Sequence, residues 1–158
     1  MQPKKRSTST YTGFVSAAPD KVFPLLCPVR EYDWIEGWPG KLVYSDTGVA
    51  ECDCVFTTPF ENDTETWTCS RYEPPCRIDY VRMSPHRVVR LELRLQQAGA
   101  GTRVTVSHVI TALDPAGEEL VGACDAGTSE AQFKPLFIML DHYLKTGTML
   151  ARRQAASA

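Results

Sequence analysis

A histidine and a tyrosine are the side chains of this 158-residue chain whose types and positions best suit acid/base chemistry in an apolar setting. His108 shares its face of a predicted strand with Val106 and Ile110, because alternate residues of a strand point to the same side. An imidazole placed there can act as a general acid or base, and the phenol of Tyr80 can hold a developing oxyanion. We therefore predict His108 and Tyr80 as candidate catalytic residues, and the alternatives for His108 are a satisfied interior residue or a passive ligand contact.

Two arginines are further candidates for contact with a polar group of a ligand. Arg71 and Arg82 have inward parity near strand ends and are candidates to meet a carboxylate or phenolate, with a surface salt bridge as the alternative. Parity indicates no pair of inward carboxylates. The set expected of a cyclase or dehydratase is therefore incomplete.

Six cysteines raise the question of metal or redox chemistry. Cys52 and Cys54 share a predicted strand face, with α-carbons ~6.6 Å apart from the strand rise, and Cys69 is a candidate cross-strand neighbour. With His108 they could form a metal site, but a C-x-C spacing on a regular strand fits a tetrahedral centre poorly. We expect free thiols in an apolar pocket wall, no metal and no cofactor.

Composition bounds the class of protein that positions these groups. Lys and Arg total 17 against 19 for Asp and Glu, a net charge of -2, so no broad basic face is expected and nucleic acid is a poor default partner. The apolar runs are too short to span a bilayer, and residues 1–10 lack the apolar stretch of a signal peptide. We expect a soluble, cytoplasmic chain that is a monomer or a homodimer.

Strand parity predicts which residues face inward in a run of about six strand-like segments from Lys41 to Leu113. The clearest alternation is in residues 89–95, where apolar residues alternate with charges. A loop at 97–101 then reverses the chain into a strand that carries His108. The predicted inward residues are Ala50, Cys52, Cys54, Phe56, Trp67, Cys69, Cys76, Ile78, Tyr80, Val89, Leu91, Leu93, Leu95, Val104, Val106, His108 and Ile110.

Helices are predicted at both ends of this run. Ser16 is expected to cap a short helix with Pro19 in its first turn, and Ser129 with Gln132 resembles a capping box for a long closing helix. Residues 118–128 remain open between a short helix and a flap. His86 and His142 are expected to be solvated. Apolar residues at helical spacing predict that the closing helix packs on the sheet; these are Phe133, Leu136, Phe137, Leu140, Tyr143, Leu144 and Gly147.

These residues carry a resemblance to a known superfamily. The order of elements, the AAPDKVF helix start at 17–23, the segment with Trp34 and Trp38, and the closing helix over Leu136 to Gly147 resemble the START/Bet v 1-like (SRPBCC) superfamily, in its bacterial polyketide cyclase/dehydrase-like branch. The resemblance covers residues 8–150. It implies an α+β helix-grip fold, with a seven-stranded antiparallel sheet wrapped around a long C-terminal helix and one or two short helices after the first strand.

The resemblance also implies a function class, since members bind lipids, sterols, hormones or polyketides, and some cyclise or dehydrate polyketides. We predict one ligand-binding domain at 8–150, flexible tails at 1–7 and 152–158, and a small hydrophobic or amphipathic ligand that is lipid-like, polyketide-like or aromatic. The alternatives are a polyketide cyclase or dehydratase-like enzyme using His108, and a protein-interaction module without a ligand. The predicted ligand-binding residues are Trp38, Cys54, Trp67, Cys69, Tyr80, Leu93, His108, Phe133, Phe137 and Leu140.

Overall fold

The computed structural model describes residues 5–124 and 126–158, with residue 126 as backbone only. Its strands are β1 (Arg6–Val15), β2 (Lys41–Tyr44), β3 (Val55–Phe60), β4 (Asp63–Glu73), β5 (Arg77–Met83), β6 (Arg87–Ala98) and β7 (Gly101–Ala112). Its helices are α1 (Pro19–Val22), α2 (Pro115–Gly122), α3 (Ala126–Thr146) and α4 (Arg152–Ala156), with 3₁₀ turns at Phe23–Leu25 and Arg30–Asp33.

The strands form one antiparallel sheet in the order β1-β7-β6-β5-β4-β3-β2. Consecutive strands from β2 to β7 pair with each other, and β1 pairs with β7, with Arg6 opposite Thr111. The apolar side of helix α3 packs against the inner face of this sheet, with Phe137 and Leu140 in the main core. The predicted helix-grip α+β architecture is confirmed.

The parity prediction is confirmed most fully in β6 and β7. Val89, Val104 and Val106 are at most 1% exposed, as expected where apolar residues recur at every second position of a long strand. His108 is also buried, at 4% exposure. His108 pairs with Leu91 on β6 and with Ser9 on the edge strand β1, which fixes its position in the sheet.

Two cysteines predicted to face inward are exposed. The predicted strand over 49–58 begins only at Val55, because the chain turns at 51–53, where Asp53 has a left-handed φ of 67°. Cys52 lies in that turn and Cys76 lies in the turn between β4 and β5, directly after Pro74-Pro75. Prolines cannot donate to a sheet ladder, so the β5 strand starts after Cys76.

The helix starts differ from the sequence prediction. Ala18 is the N-cap residue of α1, and the backbone N–H of Ser16 instead donates to Asp141 Oδ1 on α3 at 2.7 Å. Helix α3 begins at Ala126, so Ser129 lies one turn inside it and not at a capping box.

The segments left open or called tails contain regular structure. Asp114 caps α2 by accepting a hydrogen bond from the Gly117 N–H at 2.9 Å, so the part of 118–128 up to Gly122 is helical. Strand β1 starts at Arg6, and the C-terminal segment contains α4, where Ala155 is 1% exposed. Residues 1–4 lie outside the described part of the chain.

Candidate functional site

A cavity of about 340 Å³ lies between the inner face of the sheet and helix α3. Most of its wall is apolar or aromatic, as expected of a small-molecule site. The 3₁₀ segment after α1 and the residues that follow it close one side. The lining residues are Leu26, Pro28, Glu31, Trp34, Ile35, Trp38, Pro39, Phe56, Thr58, Pro59, Trp67, Tyr80, Arg82, Leu91, Leu93, Val106, His108, Gln132, Phe133, Leu136, Phe137, Leu140 and Arg152.

The segment 25–28 anchors three of the aromatic side chains in this wall. Its carbonyl groups accept hydrogen bonds from Trp34 Nε1 at 3.0 Å, Tyr80 Oη at 3.0 Å and Trp38 Nε1 at 2.8 Å. The polar ends of these rings are thereby satisfied within the protein, which leaves apolar ring surface for the cavity. Both tryptophans of the 31–40 segment thus line the cavity.

An aromatic cluster forms the sheet side of the cavity. The ring of Phe56 stacks on Trp67 with centroids 5.1 Å apart and meets Tyr80 edge-on at 5.6 Å. Trp67 Nε1 donates to Thr58 Oγ1 at 2.8 Å. The strand pairing places these rings, since Phe56 on β3 lies directly opposite Trp67 on β4.

His108 lines the cavity as a neutral side chain. Its ring lies edge-on to Phe133 of α3, with centroids 4.9 Å apart. Burial, followed by the positive charges of Arg82 and Arg87, lowers the pKa of His108 to about 3. A histidine with that pKa holds no donatable imidazolium proton at neutral pH, so it suits hydrogen bonding better than acid catalysis.

A buried group of three charged residues adjoins His108; we call it the Glu65 cluster, made of Glu65, Arg82 and Arg87. Glu65 Oε1 accepts from Arg87 Nε at 3.0 Å and Nη2 at 2.7 Å, and Arg82 Nη1 lies 3.3 Å from Glu65 Oε2. Burial lowers the pKa of Arg82 to about 10, so its guanidinium remains charged at neutral pH. The cluster therefore combines two positive charges with one negative charge.

The second carboxyl group of the site is Glu31, which sequence reasoning missed. It lies in the Arg30–Asp33 turn, is half-buried, and lines the cavity. Burial raises the pKa of Glu31 to about 8, and its charge is among the causes that raise the pKa of Tyr80 well above its usual value. Glu31 thus holds a proton at neutral pH, facing the cavity.

The structure brings together most of the predicted ligand-binding residues. All of them line the cavity except Cys54 and Cys69, which are buried opposite each other where β4 extends past the start of β3. The Cys69 N–H donates to the Cys54 carbonyl at 3.1 Å. The hydrogen bond with Cys54, together with burial, raises the pKa of the Cys69 thiol. The two thiols therefore interact with each other, and neither lines the cavity.

The remaining candidates divide between cavity and surface. Arg82 lines the cavity as parity indicated, whereas Arg71 forms an exposed ion pair with Glu73 at 2.7 Å. His86 is 41% exposed, with Nδ1 2.6 Å from Asp114 Oδ2. All six cysteines are free thiols. In residues 5–124 and 126–158, no group of three or more His, Cys, Asp or Glu side chains is placed to hold a metal ion.

Of the site residues that the sequence analysis missed, two could have been predicted from strand alternation and one could not. Glu65 has the same parity as Trp67, and Arg87 the same parity as Val89, so both could have been assigned to the inner face by the alternation already in use. Opposite charges at inward positions of neighbouring strands indicate a buried cluster. Glu31 lies in a turn without strand or helix periodicity, so no pattern of that kind could place it.

Comparison with solved structures finds the same fold in several proteins. No protein-family model matches the sequence, and no curated protein matches it significantly. DynU16, a protein from the dynemicin biosynthetic locus, is 18% identical with a TM-score of 0.57, and the match covers 89% of this chain and 48% of DynU16. The chain therefore spans about half the length of that protein.

Two further structures match over nearly their whole length. CalU16 from Micromonospora echinospora is 14% identical with a TM-score of 0.60, covering 97% of this chain and 90% of CalU16. Ara h 8.0201 is 15% identical with a TM-score of 0.63, covering 89% of this chain and 99% of that protein. Identities this low establish the fold and leave activity open.

A helix that crosses a lipid bilayer needs a long and predominantly apolar stretch. Of the helices within the described ranges, none is both long enough and apolar enough to cross a lipid bilayer. The longest, α3, carries charged residues along its length. The topology, the closing helix and the structural matches together show that the chain has a helix-grip fold, which it shares with Ara h 8.0201 and CalU16.

Proposed function

We propose that this protein binds one small amphipathic molecule, lipid-like, polyketide-like or aromatic, in the cavity between sheet and helix α3. The observation that carries the proposal is the partly open cavity of about 340 Å³ with a mainly apolar wall. Protein interiors are normally packed to crystal density, so a void of this size needs an occupant or a purpose. It favours ligand binding over an interaction module with a filled core. A cytoplasmic location and a monomeric or homodimeric state complete the proposal.

A fluorescent probe tests this function without knowledge of the natural ligand. N-phenyl-1-naphthylamine is neutral and apolar, and its fluorescence rises in an apolar site. We expect saturable binding to one site. The variant Leu93→Trp adds a large ring at a residue that lines the cavity, and we expect it to weaken binding by about tenfold or more because it occupies the probe's space.

The matched control places the same side chain outside the cavity. Leu42 on β2 is 37% exposed, so Leu42→Trp is expected to leave the affinity unchanged. Equal affinities for both variants would place the probe elsewhere and contradict the proposal. Native mass spectrometry of protein from its own host would then identify the class of any molecule that co-purifies.

One observation favours a second candidate, a cyclase or dehydratase reaction in the same cavity. Glu31 carries a proton at neutral pH because burial raises its pKa to about 8, so it suits the role of general acid that His108, with a pKa of about 3, does not. In this function Glu31 would protonate the departing hydroxyl as the C–O bond breaks. The carboxylate so formed would take the proton of the neighbouring carbon as the C=C bond forms, so that water leaves and Glu31 is protonated again, while Tyr80 would orient the substrate.

One experiment distinguishes the binding function from a dehydratase reaction. A Glu31→Gln variant keeps the shape and a hydrogen-bond donor but loses the transferable proton. If the protein is a dehydratase, the molecule that co-purifies with Glu31→Gln should be heavier by one water than the molecule released from the wild type. Identical masses would leave binding as the function.

A further inference from the structure

The Glu65 cluster has an unbalanced positive charge beside the cavity. Its carboxylate, on a residue that is 1% exposed, contacts two guanidinium groups, those of Arg82 and Arg87. The side chains of these arginines are 12% and 8% exposed, so water compensates little of the second charge. Buried charge that is not neutralised by a partner is costly.

The excess charge lies on the cavity side of the cluster. Arg87 donates through Nε and Nη2 to Glu65 Oε1 and lies over the ring of Phe60 at 3.9 Å. Arg82 makes only the longer contact of 3.3 Å to Glu65, and its guanidinium lies 4.7 Å from the centroid of Trp67. Arg82 lines the cavity, whereas Arg87 does not.

One donor of Arg82 has no acceptor. Its Nε is fully buried and, among the described residues, makes no hydrogen bond. The Arg82 guanidinium is therefore less fully hydrogen-bonded within the protein than that of Arg87, which donates through both Nε and Nη2. Among the described residues, Glu65 is the carboxylate that forms an ion pair with Arg82.

We infer that the molecule bound in this cavity is an organic monoanion, such as a carboxylate or phenolate, whose oxygen accepts from Arg82 while its apolar body lies along Trp67 and the α3 side chains. The inference rests on the proposed function and specifies its ligand class. One negative charge makes the cluster electrically neutral, and an organic anion also uses the apolar wall. The neutral imidazole of His108 stands on the same wall and can donate a second hydrogen bond.

A pair of probes that share one ring system tests the inference. 1-Anilinonaphthalene-8-sulfonate carries one negative charge, and N-phenyl-1-naphthylamine lacks the sulfonate. We expect the wild type to bind the sulfonate about tenfold more tightly or better, the size expected of a charge-assisted hydrogen bond in a partly open site. Arg82→Gln should remove that preference, measured as the ratio of the two affinities in the variant against the ratio in the wild type.

Two further variants sharpen the comparison. Arg71→Gln removes an exposed arginine from the same sheet and should keep the preference. Arg82→Lys keeps the charge but loses the Nε donor and the planar fork, so it should retain only part of the preference. Thermal unfolding of each variant shows whether the fold is intact.

The possible results distinguish a failure of the monoanion inference from a failure of the proposed ligand-binding function. Equal affinity of the wild type for both probes, or a preference that persists in Arg82→Gln, overturns the monoanion inference and leaves the binding function intact. Failure of both probes to bind the wild type overturns the binding function and the inference with it. If Arg82→Gln does not fold, Arg82→Lys takes its place, and an undiminished preference in that variant overturns the assignment to Arg82.

Discussion

Glu65 and Arg87 form an ion pair that is enclosed within the protein, on the inner side of strands β4 and β6. The Glu65 side chain is 1% exposed, and its Oε1 accepts from Arg87 Nε at 3.0 Å and from Nη2 at 2.7 Å. Because Arg82 also contacts the other carboxylate oxygen, this one carboxylate holds two buried cations in place.

Removing that negative charge should destabilise the fold strongly. Glu65→Gln keeps the side-chain shape but leaves Arg82 and Arg87 as uncompensated buried cations, so we expect the free energy of unfolding to fall by about 3–5 kcal/mol. Urea denaturation measures the change. Glu119→Gln, at an exposed position of α2, is the control and should change stability little. A similar small effect at Glu65 would show that its charge is not needed to hold the arginines.

Gly13 determines how closely helix α3 approaches the sheet. A Cβ at this position would lie 2.7 Å from Phe137 Cγ, and the Phe137 ring is held at 5.5 Å from Tyr11. We expect Gly13→Ala to lower the free energy of unfolding by about 1–3 kcal/mol through overpacking and to weaken probe binding, because Phe137 also lines the cavity.

A second glycine gives the control for that substitution. Gly122 is the last residue of α2, and a Cβ added there would have no neighbouring atom of the described residues within 4 Å, apart from adjacent residues and the helix's own backbone. Gly122→Ala should therefore leave stability unchanged or raise it slightly, since alanine is the better helix former. Equal losses at both positions would mean that the contact with Phe137 is not the cause.

Five of the six thiols should react in two kinetic groups, and the half-buried Cys124 should react at a rate between them. Cys52 and Cys76 are exposed, whereas Cys27, Cys54 and Cys69 are buried. With an aromatic disulfide reagent, we expect Cys52 and Cys76 to react quickly in the folded protein and the buried three to react only after unfolding. The variants Cys52→Ser and Cys76→Ser should each remove one fast-reacting thiol. Fast labelling of Cys27, Cys54 or Cys69 in the folded protein, located by mass spectrometry of peptides, would contradict the assigned burial.

The sequence predicted the sheet well where long strands alternate without interruption. In β6 and β7, burial of one face fixes the register, so Val89, Val104 and His108 fall where parity placed them. Parity failed at Cys52 and Cys76 because each lies in a turn, and a turn resets the alternation. Continuous alternation across 49–58 was therefore the wrong assumption.

The candidate site was partly predictable for a related reason. Aromatic and apolar wall residues follow from strand and helix periodicity, and Glu65 and Arg87 carry the same signal although they were not assigned to the core. Glu31 could not be found in this way, because its position depends on how the 3₁₀ turn folds against the sheet. Long-range packing of that kind leaves no local period in the sequence.

Burial of neutral His108 should make the protein sensitive to acid. Its pKa falls from 6.5 to about 3 on folding, so between these values the unfolded chain binds a proton that the folded chain does not. Stability should therefore fall as the pH drops from 6.5 towards 3, by at most about 1.4 kcal/mol per pH unit from this group. His108→Phe should remove this part of the dependence, measured as the difference in unfolding free energy from wild type at each pH. A constant difference across the range would contradict the shifted pKa.

Glu31 should act in the opposite direction and over a higher range of pH. Its pKa rises from 4.5 to about 8 on folding, so between these values the folded chain keeps a proton that the unfolded chain has released, and stability should fall as the pH rises, again by at most about 1.4 kcal/mol per pH unit. Between pH 4.5 and 6.5 the contributions of Glu31 and His108 oppose each other, so the wild type alone would conceal both.

Glu31→Gln isolates the Glu31 contribution to the pH dependence of stability. Because the amide cannot ionise, the variant should equal the wild type near pH 4 and become more stable than it as the pH approaches 8, in urea denaturation series at fixed ionic strength. Glu119→Gln, on an exposed helix position, should follow the wild type throughout. If Glu31→Gln also follows the wild type at every pH, Glu31 ionises with an ordinary pKa, and the carboxyl group cannot serve as the proton donor of a reaction in the cavity at neutral pH.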